Sequence, residues 1–583
     1  MDAINTIAEP ELLQLGASLP PGDPHGISVH LPKWADTVGW AAREARVVDA
    51  MKTGYPRFFI PRVVDQLVAR LLRICGRRAG LGQGSDGGKP GGKLGLLFAT
   101  RRHATICRRT LLSKPDAQPG KLDIGRYAIS WDGKITMLAG PGQDAGTEQP
   151  EPSASVGQEC IYLVSYPPEL GARAKSFWQH TGFGISSRRA TYWLERAPFL
   201  SEGVVPEPRL SSTELSLQVD QAKAEIKRRI ATGHSAPSEG FVVSDDDVFL
   251  FHTGMTAMAE AVDAVKALHP PTSDSPPRLA VFGFPYVDTF KVLSHALNLT
   301  PTLYQYTDLP TFTTALCNPQ PPPFTAMLTE FPSNPLLHSP PLPTLHTLSL
   351  THALPLLVDD TLGTAAALRL LPSCTLLCTS LAKMFSGQCN VMGGAVTLNP
   401  RSPFHAALQR ALRRHRPAAE AAWFGEDVLV MERNSRRFDA RAARASSSAA
   451  RVVRMLRGAA GKAVVAEVYY PLGAASQGVY DLFRREGGGY GFLVAVRFAT
   501  AEQARVFYDA FDVAKGPSLG TDFTLCCAYT LLAHYKELGW AAEYGVVEDL
   551  VRISVGLEEW AWLEERVGRA LRAAEHCGQP SRR

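Results

Sequence analysis

Lys383 stands in the string Thr379-Ser380-Leu381-Ala382-Lys383-Met384-Phe385-Ser386-Gly387, directly after an apolar run. A lysine held just past a buried strand is poorly hydrated, and its amine can then act as a nucleophile toward an aldehyde. Ser380, three residues earlier, offers a hydroxyl to a phosphate; a solvated loop lysine is the plainer reading of the same string. Asp359 lies twenty-four residues before Lys383, in Leu356-Leu357-Val358-Asp359-Asp360-Thr361. A carboxylate buried at a strand end needs a positive partner. A protonated pyridine nitrogen is one, whereas Asp and Thr here could equally cap a helix. His252-Thr253-Gly254-Met255-Thr256-Ala257 opens a helix with Met255, Met258, Ala259, Val262 and Val265 on one face. Glycine at such a turn lets Gly254 and Met255 amides and the helix dipole face an anion such as phosphate, or is an ordinary turn residue. Tyr286, in Phe282-Gly283-Phe284-Pro285-Tyr286, can stack on a planar ring or fill the core.

Elements with one common geometry must carry these four groups. Between about 241 and 400 the runs Leu279–Phe282, Ala326–Leu328, Leu354–Val358, Thr375–Cys378 and Ala395–Leu398 alternate with helical or loop segments. Largely apolar strands of this kind predict a mainly parallel sheet covered on both faces. Ligands of such sheets collect at the carboxyl ends of the strands, where Glu330, Asp359, Asp360, Thr379 and Ser380 fall. This region is the expected catalytic domain. From 401 to 583 the pattern predicts an α/β cap: a helix over Ala440–Leu456, strands Val464–Tyr469, Gly491–Phe498 and Leu550–Val555, a helix over Glu502–Phe511, and a last amphipathic helix carrying Trp560, Leu563, Val567 and Leu571. Residues 1 to 240 are uneven. Pro61 opens a helix with Val63, Val64, Leu67, Val68, Leu71 and Leu72 at helical spacing. Strand-like runs Leu94–Ala99 and Cys160–Ser165 lie among Gly-rich stretches, Gly76 to Gly92 and Ala139 to Gly157, that read as exposed linkers.

At 583 residues the chain exceeds one compact core, so two or three domains are expected. A net charge of +5 is mild for this length, and Arg410, Arg413, Arg414 and Arg416 interleave with Ala and Leu. They read as a solvated helix face rather than a nucleic-acid site. Ten cysteines are scattered without a Cys-x-x-Cys pair, and His103 with Cys107 finds no second ligand pair for a metal. Neither a secretory leader nor an apolar run near the roughly 20 residues of a membrane span is visible. A cytoplasmic protein is expected.

In its order of motifs the sequence resembles the cystathionine gamma-synthase group of pyridoxal-phosphate (PLP) enzymes of cysteine and methionine metabolism. The matching features are the Gly-Met turn (Gly254, Met255), Tyr286, a Glu-x-Pro-x-Asn-Pro loop (Glu330, Pro332, Asn334, Pro335), Asp359, and Ser380, Lys383 and Gly387. Val551-Arg552-Ile553-Ser554-Val555-Gly556-Leu557-Glu558 resembles the segment that places an arginine on the substrate α-carboxylate, and Ser518-Leu519-Gly520 a turn that touches it. Strand alternation agrees, with Val551, Ile553 and Val555 toward the core and Arg552 and Ser554 toward the site. Tyr55-Pro56-Arg57 resembles an element that reaches the cofactor phosphate of the neighbouring subunit. The strings Lys52 to Phe59 and Phe177-Trp178-Gln179-His180-Thr181-Gly182 resemble the longer fungal branch.

The resemblance implies an α/β protein of PLP fold type I: a mainly parallel seven-stranded sheet in a large domain (241–400) and a smaller α/β C-terminal domain (401–583). Before them comes a segment (1–240) with a subunit-contact element at 50–75 and a long insertion at 76–240. It implies PLP as a Schiff base on Lys383, with Asp359 on the ring nitrogen, Tyr286 on the ring and Asn334 near the phenolic oxygen. Tyr55, Arg57, Ser380, Gly254 and Met255 would hold the phosphate, and Arg552 and Ser518 the substrate carboxylate. The implied reaction joins an O-acyl-L-homoserine and L-cysteine as cystathionine, in a homodimer or homotetramer with shared sites. Homoserine sulfhydrylation, γ-elimination and carbon–carbon bond formation use the same machinery; a catalytically silent scaffold is the alternative of another kind. Three departures stand out: Ala382 where a hydroxyl residue is usual, Asp360 where Asn is common, and Asn390 where Asp is common.

Overall fold

A computed structural model of the chain describes residues 6–7, 9–55, 58–78, 92–113, 122–130, 135–139, 158–196, 212–268, 276–317, 324–458 and 464–577. Its centre is a seven-stranded sheet in the spatial order Val248–Phe251, Gly394–Leu398, Leu376–Ser380, Leu356–Asp359, Phe324–Glu330, Arg278–Phe282, Thr300–Tyr304. Gly394–Leu398 runs antiparallel to both of its neighbours; the other neighbouring pairs are parallel. The apolar runs become strands because both faces are covered. Leu250, Ala280, Met327, Val358, Leu377 and Ala395 enter one core. Their alternates Phe249, Leu279, Ala326, Leu357, Leu376 and Val396 enter another.

The second sheet has five strands, in the order Val465–Tyr469, Leu493–Phe498, Leu550–Ser554, Leu525–Ala528, Ala514–Lys515. Helices Phe438–Arg457, Ala501–Ala510 and Trp560–His576 bury their apolar stripes against it. Leu525–Ala528 and Ala514–Lys515 escaped the sequence reading, the second because two residues carry no period.

The N-terminal half supplies a four-stranded antiparallel sheet, Leu94–Phe98, Gln158–Tyr166, Asp123–Ser130, Ile135–Ala139. Alternation again serves two cores. Leu96, Phe98 and Val164 join the cluster that contains helix Gly254–Lys266. Leu97, Ile161 and Leu163 meet Val64, Leu67, Val68, Leu71 and Leu72 of helix Arg62–Arg78, the stripe read from Pro61 onward. The long helix Ser212–His234 sends Ala222, Ile226 and Ile230 into the central core. Most of the two Gly-rich stretches lies outside the described residues. Arg410, Arg413 and Arg414 are exposed on helix His405–Ala422, whose Leu408 and Leu412 are buried; the side chain of Arg416 is outside the description. No described helix is long and apolar enough to cross a membrane.

Candidate active site

The register of the central sheet brings the polar strand ends side by side. Glu330 pairs with Asp359, Asp359 with Cys378, and Ser380 with Gly394. Beyond them opens a cleft lined by Lys383, Asp359, Ser380, Tyr286, Asn334 and Arg552, among others. Residues as far apart in the chain as Ile27 and Arg552 thus line one cleft.

One end of the cleft suits an anion. Thr253 caps helix Gly254–Lys266, its Oγ1 accepting from Thr256 N at 3.0 Å. The Ala257 amide is taken by the Thr253 carbonyl at 3.1 Å. The first turn therefore leaves the Gly254 and Met255 amides without a helical acceptor. Residue 254 must be glycine on steric grounds, because a Cβ there would stand 2.7 Å from Ser380 Cβ. That approach brings the Ser380 side chain to the same corner, and Ser380 N donates to Thr361 Oγ1 at 2.9 Å.

Asp359 lines the middle of the cleft, its Oδ1 accepting from Thr361 N at 2.9 Å. Burial pushes its carboxyl above the ordinary range, against the Thr361 bonds. Lys383 is 8% exposed, and its Nζ donates to Tyr55 Oη at 2.9 Å and to Ser518 Oγ at 3.5 Å. Among the described residues neither Asp359 nor Lys383 forms an ion pair. Tyr286 precedes helix Val287–His295, and its backbone N–H donates to Glu330 Oε1. The other Glu330 oxygen accepts from Asn334 N at 3.1 Å. Burial first, and then the Asp359 carboxylate, raise the Glu330 carboxyl above the usual range.

Arg552 closes the far side. Val551, Ile553 and Val555 are fully buried while Arg552 faces the cleft, as alternation requires. Its Nη1 donates to Asn334 Oδ1 at 3.2 Å, and its Nη2 to Pro517 O at 3.0 Å and Ser518 O at 3.4 Å. Ser554 Oγ accepts from Gly520 N at 2.8 Å and so anchors the Ser518–Gly520 turn. Tyr529, missed in the sequence, lies under Arg552 with its ring centroid 4.7 Å from Cζ, and its hydroxyl accepts from Asn334 Nδ2 at 3.4 Å. Its position immediately after strand Leu525–Ala528 is the same signal that marked Asp359 and Ser380.

Tyr55, expected at the cofactor phosphate, places its hydroxyl on Lys383 Nζ within the chain. Pro56 and Arg57 lie outside the described residues. The three departures acquire physical reasons. Ala382 packs with Ile7, Leu19, Ile27 and Cys389, where a hydroxyl would be buried among apolar groups. Asp360 accepts from the Thr379 hydroxyl, with His234 Nε2 at 3.7 Å from its other oxygen, and burial pushes it up to about 7. Asn390 donates through Nδ2 to Asp23 Oδ2 at 2.9 Å, a contact that a second carboxylate would make repulsive.

The sequence model described as Cys/Met metabolism PLP-dependent enzyme matches residues 242–572, and that of the fungal trans-sulfuration enzyme N-terminal domain matches 63–186. Cystathionine gamma-synthase of Neurospora crassa is 31% identical over 97% of this chain and 99% of that protein. The cystathionine gamma-synthase-like enzyme iboG2 of Amanita muscaria is 32% identical over 97% of both chains. The crystal structure of cystathionine gamma synthase from Xanthomonas oryzae pv. oryzae in complex with cystathionine has a TM-score of 0.51 at 21% identity, over 64% of this chain and 90% of that one, a likeness of fold. The chain belongs to the Cys/Met metabolism PLP-dependent enzyme family, and its cofactor is pyridoxal phosphate. The cleft suits that group: an amine and a carboxylate, both outside any ion pair among the described residues, stand beside a helix start with two amides available.

Proposed function

We propose that the enzyme joins an O-acyl-L-homoserine and L-cysteine by replacement at the γ-carbon, releasing a carboxylic acid and L-cystathionine. The observation that carries this is the position of Lys383 between an anion-binding corner and Arg552 in one cleft. In this reading Lys383 would hold the cofactor, with Asp359 serving its ring nitrogen, Tyr286 its ring and Asn334 its phenolic oxygen. Gly254, Met255, Ser380, Tyr55 and Arg57 would bind the phosphate. Pyridoxal phosphate, when bound, supplies an electron sink for charge developing on the substrate carbons. Arg552 and Ser518 orient the substrate carboxylate, since a planar guanidinium pairs with it in two bonds. Lys383 Nζ then moves protons at the α- and β-carbons, and the Tyr55 hydroxyl, 2.9 Å away, holds it in reach. The free thiols of the described cysteines are consistent with work in the cytoplasm.

A second reading, replacement by an uncharged nucleophile such as sulfide, draws on the lining. Among the described residues around the cleft, Lys383 and Arg552 are the cationic side chains, and Ile27, Phe58, Met392 and Leu532 are apolar. A carboxylate on the second substrate therefore finds no further cation among them. The test is to supply acetyl- or succinyl-homoserine with cysteine, sulfide or no thiol and identify the product. Cystathionine is expected. Homocysteine formed in preference when both thiols are present would favour the second reading, and 2-oxobutanoate as the main product without thiol would overturn both.

A further inference from the structure

Beyond the contacts of Nζ with Tyr55 Oη and Ser518 Oγ, the position of Lys383 is set by its backbone. The turn Leu381–Gly387 closes on itself at its ends: Ser386 N donates to Leu381 O at 3.0 Å, and Gly387 N to Lys383 O at 2.8 Å. The carbonyls of Met384 and Phe385, immediately after the lysine, accept instead from one distant group. Arg441 Nη1, from helix Phe438–Arg457, reaches them at 3.1 and 3.0 Å. Its Nη2 donates to Asn434 O at 2.7 Å, and its Nε stands 2.5 Å from Asp522 Oδ1.

Asp522 grips the same turn from the other domain. Its backbone N–H donates to Gly387 O at 2.8 Å, and its Oδ2 accepts from the side chain of Gln388. Neighbouring Thr521 pairs with Gly387, and Ser518 is only four residues away. Gly387 has φ +72, and a Cβ on it would lie 2.2 Å from Arg441 Nε and 2.4 Å from Asp522 Oδ1. The two charged residues are 6% and 3% exposed. A buried, forked guanidinium on consecutive carbonyls is an arrangement that lysine cannot reproduce.

We propose that Arg441, oriented by Asp522, is a positioning residue for Lys383. The pair fixes the height of the turn, and it couples the lysine to the Ser518 turn beside Arg552. This rests on Lys383 being the lysine that carries pyridoxal phosphate.

The test compares the full-length holoenzyme with Arg441→Met, Arg441→Lys and the double variant Arg441→Met/Asp522→Asn, which leaves no orphan carboxylate. Turnover is expressed per bound cofactor, and visible circular dichroism of the cofactor reports its orientation. In the double variant we expect kcat to fall about tenfold to a hundredfold, as sub-ångström to 1 Å misplacement does. KM for the amino-acid substrate should stay within about twofold and the dichroic band should weaken, with Arg441→Lys intermediate between wild type and Arg441→Met. A double variant with the wild-type kcat per bound cofactor and dichroic band would overturn the proposal. So would losses that vanish once cofactor content is normalised. Borohydride reduction and peptide mapping identify the labelled lysine separately. Label elsewhere sinks the Lys383 assignment and the proposal with it; label on Lys383 with unchanged kinetics and dichroism sinks the positioning role alone.

Discussion

Replacing Arg552 by lysine tests the substrate end of the cleft with a magnitude that follows from its bonds. A guanidinium has five N–H donors, and three hydrogen bonds tie Arg552 to Asn334, Pro517 and Ser518. At least two donors are left for an incoming carboxylate. Lysine keeps the charge but presents a point donor, so one of two charge-assisted bonds is lost. Each is worth about 1.5–3 kcal/mol, and at about 1.36 kcal/mol per decade the loss is about 10-fold to 150-fold. The carboxylate is held in ground state and transition state alike, so the change belongs in KM rather than kcat. Initial rates of acid release from acetyl-homoserine measure both constants. Repeating them with the carboxamide of the same substrate closes a cycle: wild type should discriminate strongly between acid and amide, and Arg552→Lys much less. The reasoning fails if KM moves less than about threefold, or if acid and amide lose equally.

Gly254→Ala puts a methyl 2.7 Å from Ser380 Cβ and forces the helix start away from the strand end. Overpacking of this kind costs about 1–3 kcal/mol, so titration of the cofactor-free protein should show about tenfold or weaker binding of pyridoxal phosphate; unchanged affinity would count against Gly254 at the phosphate corner. Asp360 gives a pH dependence with a definite sign. Burial raises its carboxyl from 3.8 to about 7, so between those values the folded chain keeps a proton that the unfolded chain has released. Stability from this group is present below the lower value and lost as pH rises toward the upper one, by at most about 1.4 kcal/mol per pH unit. Thermal denaturation of wild type minus Asp360→Asn should fall between pH 5 and 7 and level above, and parallel curves would exclude the effect.

The parts of the site that were legible sit where one local rule applies. Glu330, Asp359 and Ser380 each end a strand buried on both faces, where a polar group can face a cleft. Tyr529 went unread because Leu525–Ala528 is four residues long and follows no recognisable run. Arg552 was read from the resemblance of its segment, and alternation agreed, since Val551 and Ile553 had to turn inward. Tyr55 was read from its motif, whereas its contact with Lys383 Nζ spans 328 residues and no local rule announces it.

Arg441 marks where local reasoning ends. Within helix Phe438–Arg457 it reads like Arg444, Arg451 and Arg454, polar residues on an amphipathic element. What separates it from them is the pair of carbonyls of Met384 and Phe385, 57 and 56 residues away, which lack donors only because the turn after Lys383 is neither helix nor strand. Buried carbonyls need partners, and that demand selects one arginine among several. The nucleophile was readable from its strand, whereas its position depends on donors delivered by another helix and held by Asp522 of another turn. A substitution that keeps every cleft-lining residue can therefore still move the chemistry, provided it touches the Arg441–Asp522 pair.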